Sequence, residues 1–211
     1  MADWVTISSL ATAGGTLVLA IATFGATRSS NRSARIAEEA LLAGLRPLLL
    51  SSRPQDPPEK ISWVDEHWTR INGGEGALEF DTESIYMAAA LRNVGTGIAI
   101  MHGWYVWPDF EELKTQPDPR PDEFRRQSRD LYIAPNDTGF WQGAIRDLED
   151  PLGASMREVC KTRARFAVDI MYGDQEGGQR TVTRFGFNPF DDDRWMVQTN
   201  RHYFLDRDDP R

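Results

Sequence analysis

The sequence predicts a mainly β protein: an immunoglobulin-like antiparallel β-sandwich preceded by one long N-terminal transmembrane and neck helix. Three observations predict it. Trp4 to Thr27 carries no charged side chain, and Arg28, Arg32 and Arg35 follow it, the pattern of a single membrane span. After Pro47 the apolar period changes from helical to two. No strand alternates with helical repeats, as a doubly wound parallel sheet requires.

The uncharged run holds 24 residues. As a helix they reach about 36 Å, enough for a hydrocarbon core of about 30 Å. The second half, Leu17 to Ala22, is strongly apolar, whereas the first half carries Thr6, Ser8, Ser9, Thr12 and Thr16. Such hydroxyls are tolerated in a span because they bond back to the carbonyl one turn earlier. The leader Met1-Ala2-Asp3 lacks the basic charge of a cleaved signal peptide. The arginines after the run place the N-terminus outside and the following domain in the cytoplasm, at an inner or plasma membrane. A single cysteine, Cys160, agrees with that side. Ser8, Ala11, Gly15, Ala22 and Gly25 form a stripe of small residues through which two copies of the span could approach.

Residues 28–46 form the basic neck. Ile36, Ala37, Ala40, Leu41 and Leu45 make one apolar stripe, and Pro47 ends the helix near Leu45. Residues 28–53 carry a net charge of +3, and residues 54–211 carry −10. So acidic a domain excludes nonspecific nucleic-acid binding, which needs a positive surface.

The domain, 47–211, reads as strands at 48–53, 84–93, 97–107, 131–134, 138–146, 162–172, 179–187 and 194–205. In 84–93, Ile85, Met87, Ala89 and Leu91 share a face; in 97–107, Ile98, Ile100, Trp104 and Val106 do, with His102 among them. Alternation of Phe166, Val168, Ile170 and Tyr172 with Arg165, Ala167, Asp169 and Met171 predicts a half-buried strand. The glycine-rich stretch 173–178 then predicts a hairpin into Thr181, Thr183, Phe185 and Phe187. Asn93-Val94-Gly95-Thr96-Gly97 supplies a turn of residues that tolerate positive φ. Residues 54–83 and 108–130 read as long loops, with a short strand at Ile61–Val64 in the first and a helical turn or two over Glu123–Arg129 in the second.

Three segments carry a resemblance: Ala43-Gly44-Leu45-Arg46-Pro47-Leu48-Leu49, Leu91 to Ala99, and Asp130-Leu131-Tyr132-Ile133-Ala134-Pro135. In them the chain resembles uncharacterised bacterial single-span membrane proteins with a basic helical neck and a C-terminal β-sandwich. The resemblance implies architecture and placement, and no activity.

Chemistry is sparse. His67, His102 and His202 have no ligand spacing to each other or to Cys160, so neither a metal site nor a cofactor site is readable. No nucleophile elbow, phosphate loop or dinucleotide fingerprint occurs. Asp174 with Glu176, and Asp191 to Asp193, read as solvated loops without calcium-loop spacing. Arg92, Arg163, Arg165, Arg180, Arg184 and Arg201 alternate with apolar neighbours. They read either as cross-strand ion pairs, with Asp169 and Asp174 as partners, or as a docking face for an acidic peptide or phosphate. Two functions follow. One is a membrane-anchored interaction module that meets the bilayer, its own copies or a protein partner. The other is a membrane-bound enzyme or effector whose long loops build a site around Trp63, His67 and Trp68, with His102, Arg184 and Arg201 as further surface or pocket candidates.

Overall fold

A computed structural model describes residues 4–207 apart from 130 and 192, and only the backbone of residues 4–7, 10 and 11. The protein is mainly β, with antiparallel sheets and one long N-terminal helix. It divides into two compact units, residues 1–43 and 44–211.

The first unit is occupied by α1 (Trp4–Gly44). Its hydroxyls return to the helix backbone as expected: Thr12, Thr16 and Thr27 donate to the carbonyls of Ser8, Thr12 and Thr23 at 2.8–2.9 Å. Leu17, Val18, Leu19, Ile21 and Phe24 are 63–71% exposed. Among the described residues no helix is long and apolar enough to cross a membrane. The side chains of residues 4–7, 10 and 11, which belong to the uncharged run, lie outside the described residues, Ala11 of the small-residue stripe among them. Ser8, Gly15, Ala22 and Gly25 are exposed.

The second unit contains β1 (Leu49–Ser51), β2 (Glu59–Ser62), β3 (Trp68–Ile71), β4 (Glu75–Phe80), β5 (Ile85–Asn93), β6 (Ala99–Trp107), β7 (Arg125–Arg126), β8 (Tyr132–Ile133), β9 (Thr138–Ile145), α2 (Pro151–Thr162), β10 (Phe166–Gly173), β11 (Arg180–Phe190) and β12 (Arg194–Phe204). One sheet runs β1-β5-β4-β12-β11-β10-β6-β7, with β9 on β5 and β8 on β6; β2 and β3 form a separate hairpin. The large sheet folds back on itself. Trp104 of β6 and Trp141 of β9 stand far apart along the sheet, yet their rings meet edge-on at 5.7 Å. The enclosed core holds Met87, Trp141, Phe166, Ile170, Phe185 and Phe187, and α2 adds Met156 and Val159. The outer face of β5 is covered separately: Tyr86, Ala88 and Ala90 pack under Ile61, Trp63 and Ile71 of the hairpin region.

Several expectations are corrected. Residues 54–83 are not a long loop but hold β2, β3 and β4. β2 overlaps the short strand expected at Ile61–Val64, and the β2–β3 pattern is otherwise hidden because only Ile61 of β2 and Ile71 of β3 are buried. Residues 108–130 contain 3₁₀ turns at Glu112–Lys114 and Pro121–Glu123 and the short strand β7, rather than a helical turn over 123–129. β10 is buried on both faces rather than one, because Phe124, Val182, Tyr203 and Leu205 close over Met171 on its outer side. In β6 the single apolar face breaks at His102: Met101 pairs with Tyr172 and Gly103 with Met171, leaving His102 as a bulge. The extra residue switches the pleat, so Ala99 and Met101 face the core before it and Trp104 and Val106 after it.

The turn at 93–97 works differently from its expected positive φ, which none of its residues adopts. Gly95 and Gly97 are needed for closeness, since a Cβ on either would strike the backbone of residues 45–48. Asn93, fully buried, ties the segment together. Its amide donates to Gly97 O (2.7 Å) and Ile133 O (3.0 Å), and its oxygen accepts from Leu48 N and Gly95 N.

Candidate functional site

Three polar clusters interrupt the apolar packing. The first lies on the outer face of β10, β11 and β12. Asp169 and Arg184 are direct cross-strand partners, and both are buried, at 0% and 6% exposure. Arg184 Nε and Nη2 donate to the two Asp169 oxygens, both at 2.7 Å, and Trp107 Nε1 adds a third bond at 2.9 Å. A paired, fully hydrogen-bonded carboxylate is the condition for burying such charges. Burial works against the Arg184 charge, yet the bonds and charge of Asp169 hold its pKa above the ordinary value. Asp118, from the 108–124 excursion, reaches Arg184 at 3.1 Å and Arg201 at 3.0 Å. Burial and the charges of Asp169 and Asp118 push the Tyr203 hydroxyl upward. Of the arginines expected as either ion pairs or a docking face, Arg184 and Arg201 are ion-paired here and Arg92 pairs with Asp56, whereas Arg163 donates to the carbonyls of Asp191 and Arg194 and Arg165 lies over the Phe110 ring.

The second cluster contains His67. Its ring stacks on Tyr86 at 3.9 Å, and its Nε2 meets Glu79 Oε2 at 2.7 Å, while Thr69 Oγ1 donates to Glu79 Oε1 at 2.6 Å. Tyr86 in turn donates to Asp65 at 2.8 Å. These contacts fasten the β2–β3 hairpin to β4 and β5. Trp68 is exposed and faces Lys60 Nζ, 4.9 Å from its ring. His102 stands apart; burial and the charge of Arg180 lower its pKa against a smaller opposing effect of Asp174. Arg184 and Arg201 thus meet at Asp118, but they, the neighbouring His67 and Trp68, and His102 do not converge on one site. Cys160 is half-buried, and burial pushes its thiol up to about 11, which keeps it protonated and unreactive near neutral pH.

The third cluster is a cleft of about 830 Å³. It lies at the seam between β7 and β9, the strands added to opposite ends of the folded sheet. A side-chain hydrogen bond crosses this seam: Gln127 Nε2 donates to Gln142 O at 3.1 Å. Ser62, Trp63 and Val64 of the hairpin end form one wall, and Arg125, Arg126 and Arg129 the other. Trp104, Ser128, Gln142, Gly143, Ala144 and Arg146 complete the lining, and no acidic side chain among the described residues takes part.

The four arginines are not equivalent. Arg125 pairs with Asp150 and lies over the Trp104 ring at 5.8 Å. Arg146 donates to Asp65 at 3.0 Å. Burial raises the pKa of Asp65, but the bonds from Tyr86 and Arg146 outweigh it and hold the carboxyl below its ordinary range. Arg129 donates to Ser62 O at 3.1 Å and so ties the two walls together, without an acidic partner among the described residues. Arg126 is exposed and, among the described residues, has neither an ion pair nor a side-chain hydrogen bond. Gln142, 6% exposed, keeps its Oε1 buried without a hydrogen-bond partner.

Trp63 is the one residue singled out from sequence that lines this cleft. The arginines were missed, although Arg125-Arg126-Gln127-Ser128-Arg129 is a basic run in an acidic domain. Among the described residues no group of three or more His, Cys, Asp or Glu side chains is arranged to hold a metal ion. Comparisons with protein-family models, with curated proteins and with solved structures find no match.

Proposed function

We propose that this chain is a membrane-anchored binding module, with α1 as the anchor and the β-rich unit as the part that meets a protein partner or its own copies. The observation that carries the reading is the belt from Leu17 to Phe24, whose large apolar side chains are exposed on α1. A contiguous apolar surface of this kind calls for lipid or another helix to cover it. The arginines at 28, 32 and 35, all exposed, support a cytoplasmic side for the following domain. Pairing of two spans through Ser8, Gly15, Ala22 and Gly25 belongs to the same proposal. Two antiparallel layers around one core support the finer reading of the domain as an immunoglobulin-like sandwich, with β4 joined to β12 at one edge.

The test is extraction and labelling in cells. Membranes washed with alkaline carbonate should retain the chain. On a Cys160→Ser background, Ala2→Cys should react with an impermeant maleimide in intact cells, and Gln116→Cys only after lysis. Release by carbonate would overturn the anchor. Labelling of Gln116→Cys in intact cells would invert the topology.

A further inference from the structure

We propose that the arginine-lined cleft between β7 and β9 is a binding site for a hydroxyl-bearing phosphate ester, of which glycerol phosphate is the simplest case. The inference deepens the reading of this domain as a binding module, and it rests on the cleft alone, not on the anchor.

The chain as a whole carries −8, yet this cleft is lined by four guanidinium groups and by no acid among the described residues. Asp150 and Asp65 engage Arg125 and Arg146. Among the described residues that leaves Arg126 without an ion-pair or side-chain hydrogen-bond partner and Arg129 with the Ser62 carbonyl. Cations held this way repel a basic ligand and attract an anion. A phosphate offers more acceptor oxygens than a carboxylate, and so meets the planar forks of several arginines at once.

Size and lining add the rest. About 830 Å³ exceeds what a bare inorganic anion fills and matches pockets for organic ligands. Trp63, Val64, Trp104 and Ala144 give the walls apolar surface for the carbon portion of a ligand. Gln142 supplies the specific feature. Its Oε1 is buried and unpartnered, and Gln142 is one of the residues that line the cleft. A buried acceptor without a donor is costly, and a ligand hydroxyl would satisfy it. The phosphate accepts from Arg126 and Arg129 while a hydroxyl on the same ligand donates to Gln142.

Such a ligand has two sources, a free polyol phosphate or a polyol phospholipid headgroup. The full chain in nonionic detergent micelles is titrated with glycerol 3-phosphate, with inorganic phosphate, and with micelles doped with phosphatidylglycerol or, as control, phosphatidylcholine. Binding is followed by calorimetry and by fluorescence of the tryptophans beside the arginines. Glycerol 3-phosphate should saturate one site, and Arg126→Ala should weaken it about tenfold, the loss expected for one charge-assisted hydrogen bond. Arg70→Ala, an exposed arginine on β3 away from the cleft, should leave it unchanged. Gln142→Leu should weaken glycerol 3-phosphate and spare inorganic phosphate. Binding of free glycerol 3-phosphate alone assigns the soluble source; a response to phosphatidylglycerol micelles alone assigns the headgroup. No saturable response to either overturns the proposal, as does one that Arg126→Ala does not alter. Equal binding of inorganic phosphate, indifferent to Gln142→Leu, overturns the hydroxyl contact. In micelles the result does not depend on where α1 resides in the cell, so failure here and failure of the anchor are separate outcomes.

Discussion

The outer face of β10–β12 and the seam between β7 and β9 are both rich in arginine, and they differ in what faces the guanidinium. Arg184 lies at 6% exposure with Asp169 beneath it and Asp118 at its rim. Arg126 stands exposed at a cleft whose described lining holds no acid. The same residue type is thus part of the fold in one place and presented to the outside in the other. A saturated cation holds strands and loops together. One without a carboxylate contributes little to stability and leaves its charge for a partner.

The comparison breaks most visibly at Asp169. Asp169→Ala leaves a buried guanidinium with only the rim partner Asp118, and the expected loss is about 3–5 kcal/mol in a urea titration. A loss below about 1 kcal/mol, the scale of a surface pair, would show that Arg184 escapes to solvent and that the two sites are not different in kind. Replacing both partners, Asp169→Leu with Arg184→Met, should recover most of that loss, because no unpaired charge remains. If the double variant is as unstable as the single one, the face depends on the ion pair for more than charge compensation.

Arg46 and Asp206 give an intermediate case, a bidentate pair with both side chains partly accessible. Burial raises the Asp206 pKa, but the Arg46 guanidinium and the Arg180 N–H outweigh it, so the folded value lies below the ordinary 3.8. A lowered carboxyl stabilises the fold above the unfolded value and loses that contribution as the pH falls through the folded one. Stability should therefore drop below about pH 3.8, and Asp206→Asn should flatten that part of the profile. An unchanged acid limb in the variant would remove the pair from the account. The smallest effect is expected at the cleft: Arg126→Ala should move the unfolding free energy by no more than about 0.5 kcal/mol.

What could be read from the sequence follows the same division between groups that pack and groups that face outward. β5 was legible because Ile85, Met87, Ala89 and Leu91 all enter one core on a strict period of two. α1 was legible up to its end, where Gly44 precedes the proline at 47 that cannot continue a helix. α2 was missed, although Asp150 caps it by accepting from Leu152 N, Pro151 starts it, and Leu152, Met156 and Val159 mark one face. Pro151 and Gly153 interrupt the helical pattern, and the charged residues around them mask the apolar stripe. β3 was hidden, and β2 was read only in part as the short strand at Ile61–Val64, because their exposed positions outnumber their buried ones. The cleft could not be read at all: its walls come from residues about 60 to 80 positions apart, joined only when the sheet folds back on itself. Nor could alternation reveal which arginines have carboxylates beside them, since Asp118 reaches Arg184 across 66 positions.

The most direct measurement pairs two readouts on one variant, the urea midpoint and the glycerol 3-phosphate affinity of Arg126→Ala in the full chain. The account expects an unchanged midpoint and an affinity about tenfold weaker. A lowered midpoint with unchanged affinity would contradict it, because Arg126 would then belong to the fold as Arg184 does.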